Sequence, residues 1–369
     1  MSPISCKTCN SRHPCKAESK SFKKITSGAA LITDPSNIAY LTGFTGSNGT
    51  ILLTNKVAHF FTDARYTRVA KKVMPKNVEV HIVSSFKQIS DIAQKLRIKT
   101  ISFEAHNVSV ARLDYLKKGL KPIKLQPSTI YVETLRMVKS EEELKYLIKS
   151  QRINEQVFKA VTKSLRVGKT EQQVAWEIEK TGRELSADGI SFEPIVGFGS
   201  NSGSPHHMNT TKKLKKGDMV LIDMGMSYKG YASDMTRTCF TQKPTQKQAN
   251  IYNIVLEAQE AAIQKLKAGM KGSEVDKISR DIIVKAGYGE LFGHSLGHGI
   301  GLQVHEAPNL STGYDKPLPL GTVVTVEPGI YLENSFGVRI EDMVIIRRNK
   351  ADNITKIPKK IENLILSVS

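Results

Sequence analysis

The chain has 369 residues, of which 24% are charged and 40% are hydrophobic, and its formal net charge is +19. This length suffices for two domains, each with its own core. No apolar run reaches the roughly 18 residues that a transmembrane helix needs, so we expect no transmembrane helix. Residues 1–24 contain no apolar segment typical of a secretory signal, so we expect a cytoplasmic protein.

The positive charge is concentrated in the N-terminal part of the chain. Residues 1–140 carry 23 Lys or Arg against 8 Asp or Glu, whereas the remaining residues carry 31 against 27. A basic domain can bind nucleic acid. The basic residues are scattered, however, and are not interleaved with the aromatic residues that stack on bases. A solvated basic surface is therefore the preferred interpretation, and we expect no nucleic-acid partner.

The first segment of the chain is rich in Ser, Lys and Cys, which predicts a disordered extension. Cys6, Cys9, His13 and Cys15 are the ligand types of a zinc knuckle. Their spacing is shorter than in most such modules, so a flexible tail with free thiols is preferred. Cys239 stands apart and is expected to pack as a small apolar residue.

Strand-like and helix-like segments alternate in residues 25–135, which predicts an α/β domain with a mixed or largely parallel sheet. The predicted strands cover 29–32, 50–53, 58–61, 78–83 and 100–103, and the predicted helices cover 67–73, 86–96 and 110–119. Residues 37–48 are rich in Gly and Thr but lack the pattern of a phosphate-binding loop. Residues 122–134 lead into a capped helix start at Ser140, and the domain boundary is placed near residue 136.

An internal repeat organises the second domain, residues 136–369. Leu165 and Leu266, which are 101 residues apart, each end an amphipathic helical stretch. Each is followed by a second helix, opened by Thr170 in one half and by Ser273 in the other. Both halves then continue into a strand hairpin. The pattern predicts an α+β domain with a pseudo-twofold repeat.

The two hairpins carry acids at corresponding places. In each half a glycine is followed by a short apolar strand and, six positions on, by an acid; a second glycine is followed by an acid four positions on. These acids are Asp223, Asp234, Glu327 and Glu341. Four carboxylates brought together would repel one another strongly unless cations neutralised them. The repeat therefore predicts a metal site between its halves.

His298, which lies between two glycines, adds an imidazole to this set. An imidazole among carboxylates favours manganese, iron, cobalt or zinc over calcium. Two divalent ions would balance the four negative charges, whereas one ion would leave two charges unbalanced in a buried place. We therefore expect two divalent ions, Mn²⁺ foremost, with Co²⁺ or Zn²⁺ as alternatives.

Further residues near these ligands suit proton transfer or substrate binding. His206 and His305 have no place among five ligands and can move protons or hydrogen-bond an oxyanion. A packing role is preferred for His207, and the role of His294 is left open. Arg339, two residues before the last acid, either orients that carboxylate or binds a substrate carboxylate.

With these residues placed, the chain resembles the proline-specific metallopeptidases of the pita-bread fold, which are Xaa-Pro aminopeptidase and Xaa-Pro dipeptidase. The resemblance covers nearly everything after residue 25, and its most specific signatures are residues 298–306 and 326–329. Residues 37–48 and 61–66 resemble the creatinase-type N-terminal domain. In that family this domain helps to form the oligomer, which implies a homodimer or homotetramer here.

The resemblance implies hydrolysis of the bond between an N-terminal residue and a following proline in proline-containing peptides. The metal ligands that it implies are Asp223, Asp234, His298, Glu327 and Glu341. Glu327 would also act in catalysis by accepting a proton. His206 and His305 would bind the substrate and stabilise the tetrahedral intermediate or protonate the proline nitrogen. Arg339 stays a candidate for substrate binding because of its position in the sequence, not because of the resemblance.

Other functions remain as alternatives to the Xaa-Pro aminopeptidase. Xaa-Pro dipeptidase shares the ligands, and the sequence does not fix the preferred peptide length. Creatinase shares both domains but uses no metal, and all five ligands are present here. A pita-bread module that binds nucleic acid or protein has the basic N-terminal part as its only support.

Overall fold

The computed structural model describes residues 28–55, 57–128 and 132–368. The chain divides into two compact units, Met1–Arg136 and Met137–Ser369. The predicted disordered extension, with Cys6, Cys9, His13 and Cys15, lies outside the described residues. Within the residues that are described, no helix is both long enough and apolar enough to cross a membrane.

The first unit is built on a six-stranded mixed sheet. Its strands are β1 (Ala29–Ile32), β2 (Thr50–Thr54), β3 (Ala58–Thr62), β4 (Val78–Ile82), β5 (Thr100–Glu104) and β6 (Lys124–Ser128). Their order is β4-β3-β2-β1-β5-β6; β2 is antiparallel to both of its neighbours, β1 and β3, and the other pairings are parallel. Because side chains alternate along a strand, Ala30 and Ile32 pack in one core while Ala29 and Leu31 pack in another.

Among the described residues of this unit, five helices accompany the sheet: α1 (Pro35–Thr42), α2 (Thr67–Val73), α3 (Phe86–Lys95), α4 (Val110–Gly119) and α5 (Val132–Met137). The sequence patterns predicted α2, α3 and α4 but not α1. Asp34 caps α1 by accepting from the Asn37 backbone N–H at 2.9 Å, and Gly43 ends the helix at a φ of 75°. The Gly- and Thr-rich stretch at 37–48 is therefore half helix rather than a loop.

The second unit contains two pairs of helices, one in each half of the repeat. They are α6 (Glu141–Ser164), α7 (Glu171–Glu184), α8 (Gln246–Lys265) and α9 (Gly272–Lys285). Capping boxes open the first three, from Ser140, Thr170 and Thr245. The prediction that Ser273 opens α9 is wrong, because the helix begins at Gly272 and the Ser273 hydroxyl bonds Asp315 at 2.6 Å.

Short strands complete this unit. They are β7 (Gly189–Ile190), β8 (Ile195–Phe198), β9 (Met219–Met224), β10 (Met226–Tyr228), β11 (Tyr231–Ala232), β12 (Met235–Phe240), β13 (Gly297–Gly299), β14 (Glu306–Leu310), β15 (Val323–Val326), β16 (Gly329–Leu332), β17 (Phe336–Arg339), β18 (Asp342–Ile346) and β19 (Ala351–Asn353). The sheet orders are β12-β9-β8, β14-β13-β15-β18-β19, β16-β17 and β11-β10-β7.

The two halves repeat the same pairing around a shared core. Strand β9 pairs antiparallel with β12 in the first half, and β15 pairs antiparallel with β18 in the second. Val157, Val174, Val255 and Val275, one from each helix, belong to one buried cluster with both sets of strands. Cys239 is buried in β12 as a small apolar side chain, as predicted. The core thus holds the ends of the two hairpins against each other.

Candidate active site and metal centre

One cavity of about 390 Å³ in the second unit is lined by every side chain that the sequence placed in the site. These residues are His206, Asp223, Asp234, His298, His305, Glu327, Arg339 and Glu341. His294, whose role was left open, lines the same cavity. Residues separated by up to 135 positions therefore meet at one place.

The acids stand where strands of the two halves end or begin. Asp223 lies near the end of β9, and Asp234 directly precedes β12. Glu327 directly follows β15, and Glu341 lies between β17 and β18. The Glu341 backbone N–H donates to the Thr236 carbonyl at 3.1 Å, which joins the second hairpin to the first. Both pairs of acids are therefore presented at the junction of the halves.

His298 occupies the middle of the three-residue strand β13, where its neighbours have to be glycines. A Cβ atom on Gly297 would lie 2.0 Å from the Thr325 carbonyl oxygen, and one on Gly299 would lie 2.4 Å from the Ala307 carbonyl oxygen. Only a residue without a side chain permits such close backbone approach. The glycines on either side of the histidine thus let β13 enter the sheet and deliver the imidazole to the cavity.

Three carboxylate oxygens in the cavity have no hydrogen-bond partner among the described residues. They are Asp223 Oδ1, Asp234 Oδ1 and Glu341 Oε1, and all are buried. Burial raises the pKa of Asp223, and burial together with neighbouring acids raises the pKa values of Asp234 and Glu341 far more. Buried carboxylates without donors are the ligands that divalent cations require.

The imidazole belongs to the same cluster. Ligand atoms of Asp234, His298 and Glu341 lie within 4.8 Å of one another. His298 Nε2 is 3.2 Å from Glu327 Oε1 and 3.7 Å from Asp234 Oδ2. His298 Nδ1 faces its neighbouring carbonyl, on Gly299, at 3.1 Å, so Nε2 is the nitrogen that can bind an ion. These residues fit a site for divalent metal ions.

Glu327 and His298 strongly shift each other's pKa. Burial opposes charge on both groups, but their mutual hydrogen bond prevails: the pKa of His298 rises to about 9 and that of Glu327 falls to about 2. Thr325 donates its hydroxyl to Glu327 Oε1 at 3.0 Å and supports the ionised carboxylate. Glu327 is therefore held as an anion within reach of the other ligands.

Arg339 contacts Asp223 rather than Glu341. Its Nη2 donates to Asp223 Oδ2 at 2.6 Å, its Nε donates to the Thr236 hydroxyl at 3.0 Å, and the side chain is buried. The extended-strand geometry that would have aligned Arg339 with Glu341 fails, because β17 ends at Arg339 and β18 begins only at Asp342. The guanidinium thus orients an acid of the other half, while a direct contact with substrate stays a prediction.

The permanent charge of Arg339 changes the charge balance of the site. Two divalent ions would neutralise the four acids. The guanidinium adds one positive charge because, despite burial, Tyr331, Asp223 and Glu327 raise its pKa well above the ordinary value. The site with two ions would therefore carry one net positive charge. Such a site favours an oxyanion that forms at the reacting carbonyl during a reaction.

Sequence reasoning missed Tyr331, which links Arg339 to His294. Arg339 Nη1 donates to the Tyr331 hydroxyl at 2.7 Å. His294 Nδ1 faces the Ser295 carbonyl at 2.8 Å, which leaves Nε2 to accept from the Tyr331 hydroxyl at 2.9 Å. Burial lowers the pKa of His294 and raises that of Tyr331 to about 12, so both rings are neutral. In the sequence, Tyr331 is marked only by its place in the segment that follows Glu327, which does not predict this role.

The loop that carries His206 is anchored through its neighbour His207. His207 Nε2 donates to Glu171 Oε2 at 2.8 Å, and Thr210 donates to the same oxygen through its backbone N–H and its hydroxyl. The Phe198 N–H donates to the other oxygen at 2.9 Å. Burial acts to raise the pKa of Glu171, but these hydrogen bonds outweigh it and lower the pKa. The packing role preferred for His207 agrees with these contacts.

Substitution of Glu171 by glutamine should reduce kcat/KM for the hydrolysis that the family resemblance implies by about 10-fold or more, because displacement of a catalytic side chain by about 1 Å is costly. A glutamine side chain has only one accepting oxygen, so it cannot accept all the hydrogen bonds that Glu171 now accepts with its two oxygens. The loop would then shift His206, which lines the cavity. Initial rates on a proline peptide measure the effect.

A double substitution separates this positioning effect from general damage. If Glu171→Gln acts through His206, the variant that also carries His206→Ala should be no slower than His206→Ala alone. Fully additive losses would show that Glu171 acts elsewhere.

His305 completes the cavity beside His298. Its ring lies edge-on to the His298 ring, with 4.2 Å between the centroids. Burial and the proximity of His298 lower the pKa of His305, which favours its neutral form. A neutral imidazole in this position can accept or donate a proton.

Comparison with known proteins finds relatives over nearly the whole chain. Residues 145–348 match metallopeptidase family M24, and residues 19–138 match the Creatinase/Prolidase N-terminal domain. The chain belongs to metallopeptidase family M24. The predicted fold class, a creatinase-type α/β domain followed by a pita-bread catalytic domain, is confirmed. Enzymes of this family use two metal ions, and the residues described above fit such a pair.

Several relatives align along most of their length. Uncharacterized peptidase YqhT from Bacillus subtilis is 39% identical over 342 residues, which is 92% of this chain and 97% of that protein. The structure of X-Pro aminopeptidase from Thermotoga maritima is 37% identical, with a TM-score of 0.86 and coverage of 92% and 99%. The structure of Xaa-Pro dipeptidase from Bacillus anthracis is 36% identical, with a TM-score of 0.90 and coverage of 93% and 98%. This M24 protein is therefore a metallopeptidase of the Xaa-Pro peptidase group.

Proposed function

We propose that this M24 peptidase is an Xaa-Pro aminopeptidase, which removes the N-terminal residue from peptides whose second residue is proline. The observation that carries the proposal is that the cavity wall, in the part of the chain that the structure describes, offers no free cation to a substrate carboxylate. Among the described residues that line the cavity, the one Lys or Arg side chain is Arg339, which is buried against Asp223. A dipeptide substrate places its free carboxylate on the proline itself, where binding favours a dedicated cation.

The shape of the surface beyond the cavity also favours longer peptides. A second groove of about 610 Å³ shares Ile195 and His206 with the cavity wall. Trp176 and Met208, both highly exposed, line this groove. Exposed large apolar side chains beside a site are typical of a binding surface. The groove can accept residues that follow the proline, which a dipeptide does not have.

The chemistry of the proposed reaction divides between the metal centre and its surroundings. Two divalent ions held by Asp223, Asp234, His298, Glu327 and Glu341 would supply Lewis acidity toward the scissile carbonyl and a water molecule. Glu327 accepts a proton from the attacking water on its carboxylate and passes it on. His206 and His305 stabilise the oxyanion or deliver that proton to the proline nitrogen, whose bond to the carbonyl carbon then breaks.

The surroundings of these residues bind and orient. Phe192, Ile195 and Val304 give the cavity an apolar wall that suits a proline ring. Arg339 holds Asp223 in place. Manganese as the ion, a cytoplasmic location and a homodimer or homotetramer stay predictions from the sequence.

A comparison of substrates tests the proposal. We expect kcat/KM for an Xaa-Pro-Yaa tripeptide to exceed that for the matching Xaa-Pro dipeptide by about 10-fold or more, since an unpaired carboxylate in the cavity costs on the order of 1–3 kcal/mol. Product release followed by chromatography provides the measurement.

The Xaa-Pro amide is the matched control. It lacks the carboxylate yet has the length of the dipeptide, so it should resemble the tripeptide if charge is the deciding factor. Preferential hydrolysis of the dipeptide would instead establish an Xaa-Pro dipeptidase, the activity for which the Bacillus anthracis relative is named.

A further inference from the structure

A second group of side chains with metal-ligand chemistry lies in the N-terminal unit. His59 is on β3, and Glu79 and His81 are on β4. The two strands are parallel neighbours, with His59 opposite Glu79 and Phe61 opposite His81. Because residues two apart on a strand share a face, the three side chains project to the same side of the sheet.

The ligand atoms of these three residues are spaced as a metal ion would hold them. His59 Nδ1 is 3.1 Å from His81 Nε2 and 3.2 Å from Glu79 Oε2, and His81 Nε2 is 3.8 Å from that oxygen. The point equidistant from the three atoms lies about 2.0 Å from each of them, which is close to the zinc–nitrogen and zinc–oxygen distances of about 2.0–2.2 Å.

The surroundings favour neutral imidazoles that can bind a cation. Burial lowers the pKa of His59 despite the nearby Glu79, and burial together with His59 lowers the pKa of His81. The Phe61 ring stacks on the His81 ring at 5.0 Å between centroids and limits its rotation. His59 is only 5% exposed, and its Nε2 has no hydrogen-bond partner among the described residues. Its polar contacts are therefore made through Nδ1, which faces the cluster.

We propose that His59, Glu79 and His81 form a further metal site that takes a single divalent transition ion, with Zn²⁺ as the best match. Two imidazoles and one carboxylate suit Zn²⁺, Co²⁺, Ni²⁺ and Cu²⁺, whereas Mg²⁺ and Ca²⁺ prefer oxygen ligands. The Glu79 side chain is 60% exposed and that of His81 is 27% exposed, so solvent can supply a fourth ligand. The site is separate from the five ligands of the catalytic cavity.

An ion at this position would act on stability. Strand β4 is at the edge of the sheet and pairs only with β3 among the described strands. A cross-link through His59 and His81 would hold this edge strand to its neighbour, and an ion that binds only the folded state stabilises it by mass action. Peptidase activity, which depends on the second unit, should not change.

Metal counting on the full chain tests the proposal. Protein freed of metal and dialysed against Zn²⁺ should retain one equivalent less in His81→Ala and in Glu79→Gln than in the wild type. Zinc should also raise the melting temperature of the wild type more than that of either variant. Both substituted residues are solvent-accessible, so the variants are expected to fold, and retained peptidase activity verifies this.

Two controls isolate the site from other zinc ligands in the chain. His106→Ala removes another histidine of the same unit, one that pairs with Glu133 at 3.0 Å outside the cluster, and should leave the zinc content unchanged. A variant with Cys6, Cys9 and Cys15 replaced by serine should keep the equivalent that His81→Ala loses.

The proposal would be overturned by equal zinc content in the wild type, His81→Ala and Glu79→Gln. In that case the cluster is held by hydrogen bonds alone, with one imidazole donating to the other. Loss of the extra zinc in the cysteine variant only would assign that ion to the N-terminal extension and would equally overturn the proposal.

Discussion

Replacing Asp223 by alanine is expected to abolish turnover of a proline peptide. The chain should still fold but with lower stability, because the buried Arg339 loses its anion. The carboxylate is buried in the cavity, and its Oδ1 has no hydrogen-bond partner among the described residues. Its loss would remove a predicted metal ligand and leave the Arg339 guanidinium without its anion. A drop in kcat/KM of at least about 10³-fold is expected from loss of transition-state charge stabilisation. Metal analysis should show a lower metal content in parallel.

Two further variants make this test specific. Asp223→Asn keeps the shape of the side chain and an oxygen for Arg339 but removes the charge, so it should be as inactive as the alanine variant and better folded. Asp281→Ala removes an exposed carboxylate on α9 that pairs with Lys277, and it should be fully active. Normal activity and metal content in Asp223→Ala would defeat the assignment of the site.

Replacing Asp342 by alanine is expected to produce a large loss of stability, about 3–5 kcal/mol, the range for removal of one partner from a buried ion pair. Arg237 and Asp342 are both fully buried, with Nη2 donating to Oδ1 at 2.7 Å. The guanidinium also donates to the carbonyls of Glu341 and Ile357. Without Asp342, its positive charge would stay buried with neutral partners only. Urea denaturation measures the loss.

A double variant shows whether the charge is the cause. Arg237→Met combined with Asp342→Leu replaces the pair by apolar groups and should be less destabilised than Asp342→Ala alone. Arg237→Met alone should also lose less stability than Asp342→Ala. Asp342 still pairs with Lys359 at 3.0 Å and accepts a hydrogen bond from Asn353 at 2.7 Å. If the double variant loses as much stability as Asp342→Ala, or if the losses of the two single variants simply add, packing rather than the unpaired charge determines stability here.

The sequence predicted those features that local chemistry determines. Helix starts at Ser140 and Thr170 were readable because a capping residue and its partner lie three positions apart. The acids stood out because carboxylates are unusual beside strands of Val and Ile. Strand β6 was missed because it is a polar, largely exposed edge strand without alternation, and α1 because eight residues give little periodicity.

Long-range partners could not be predicted in the same way. Arg339 binds an acid 116 positions earlier, and Arg237 binds one 105 positions later. Such contacts depend on how the two halves of the repeat pack against each other. Residue patterns within one half do not specify that packing. The sequence therefore named candidate site residues, while the hydrogen bonds that orient them required the structure.

The Arg237–Asp342 pair has a consequence for how the enzyme acquires its ions. This ion pair and the hydrogen bond between the Glu341 N–H and the Thr236 carbonyl join the halves of the repeat through protein groups. The fold should therefore form first and accept ions afterwards, so that one ion can replace another in the finished protein. Since affinities of such sites follow a general order among the metals, the ions present would be set by local supply. Activity would then rise and fall with the metal pool that surrounds the protein, without any change in its amount.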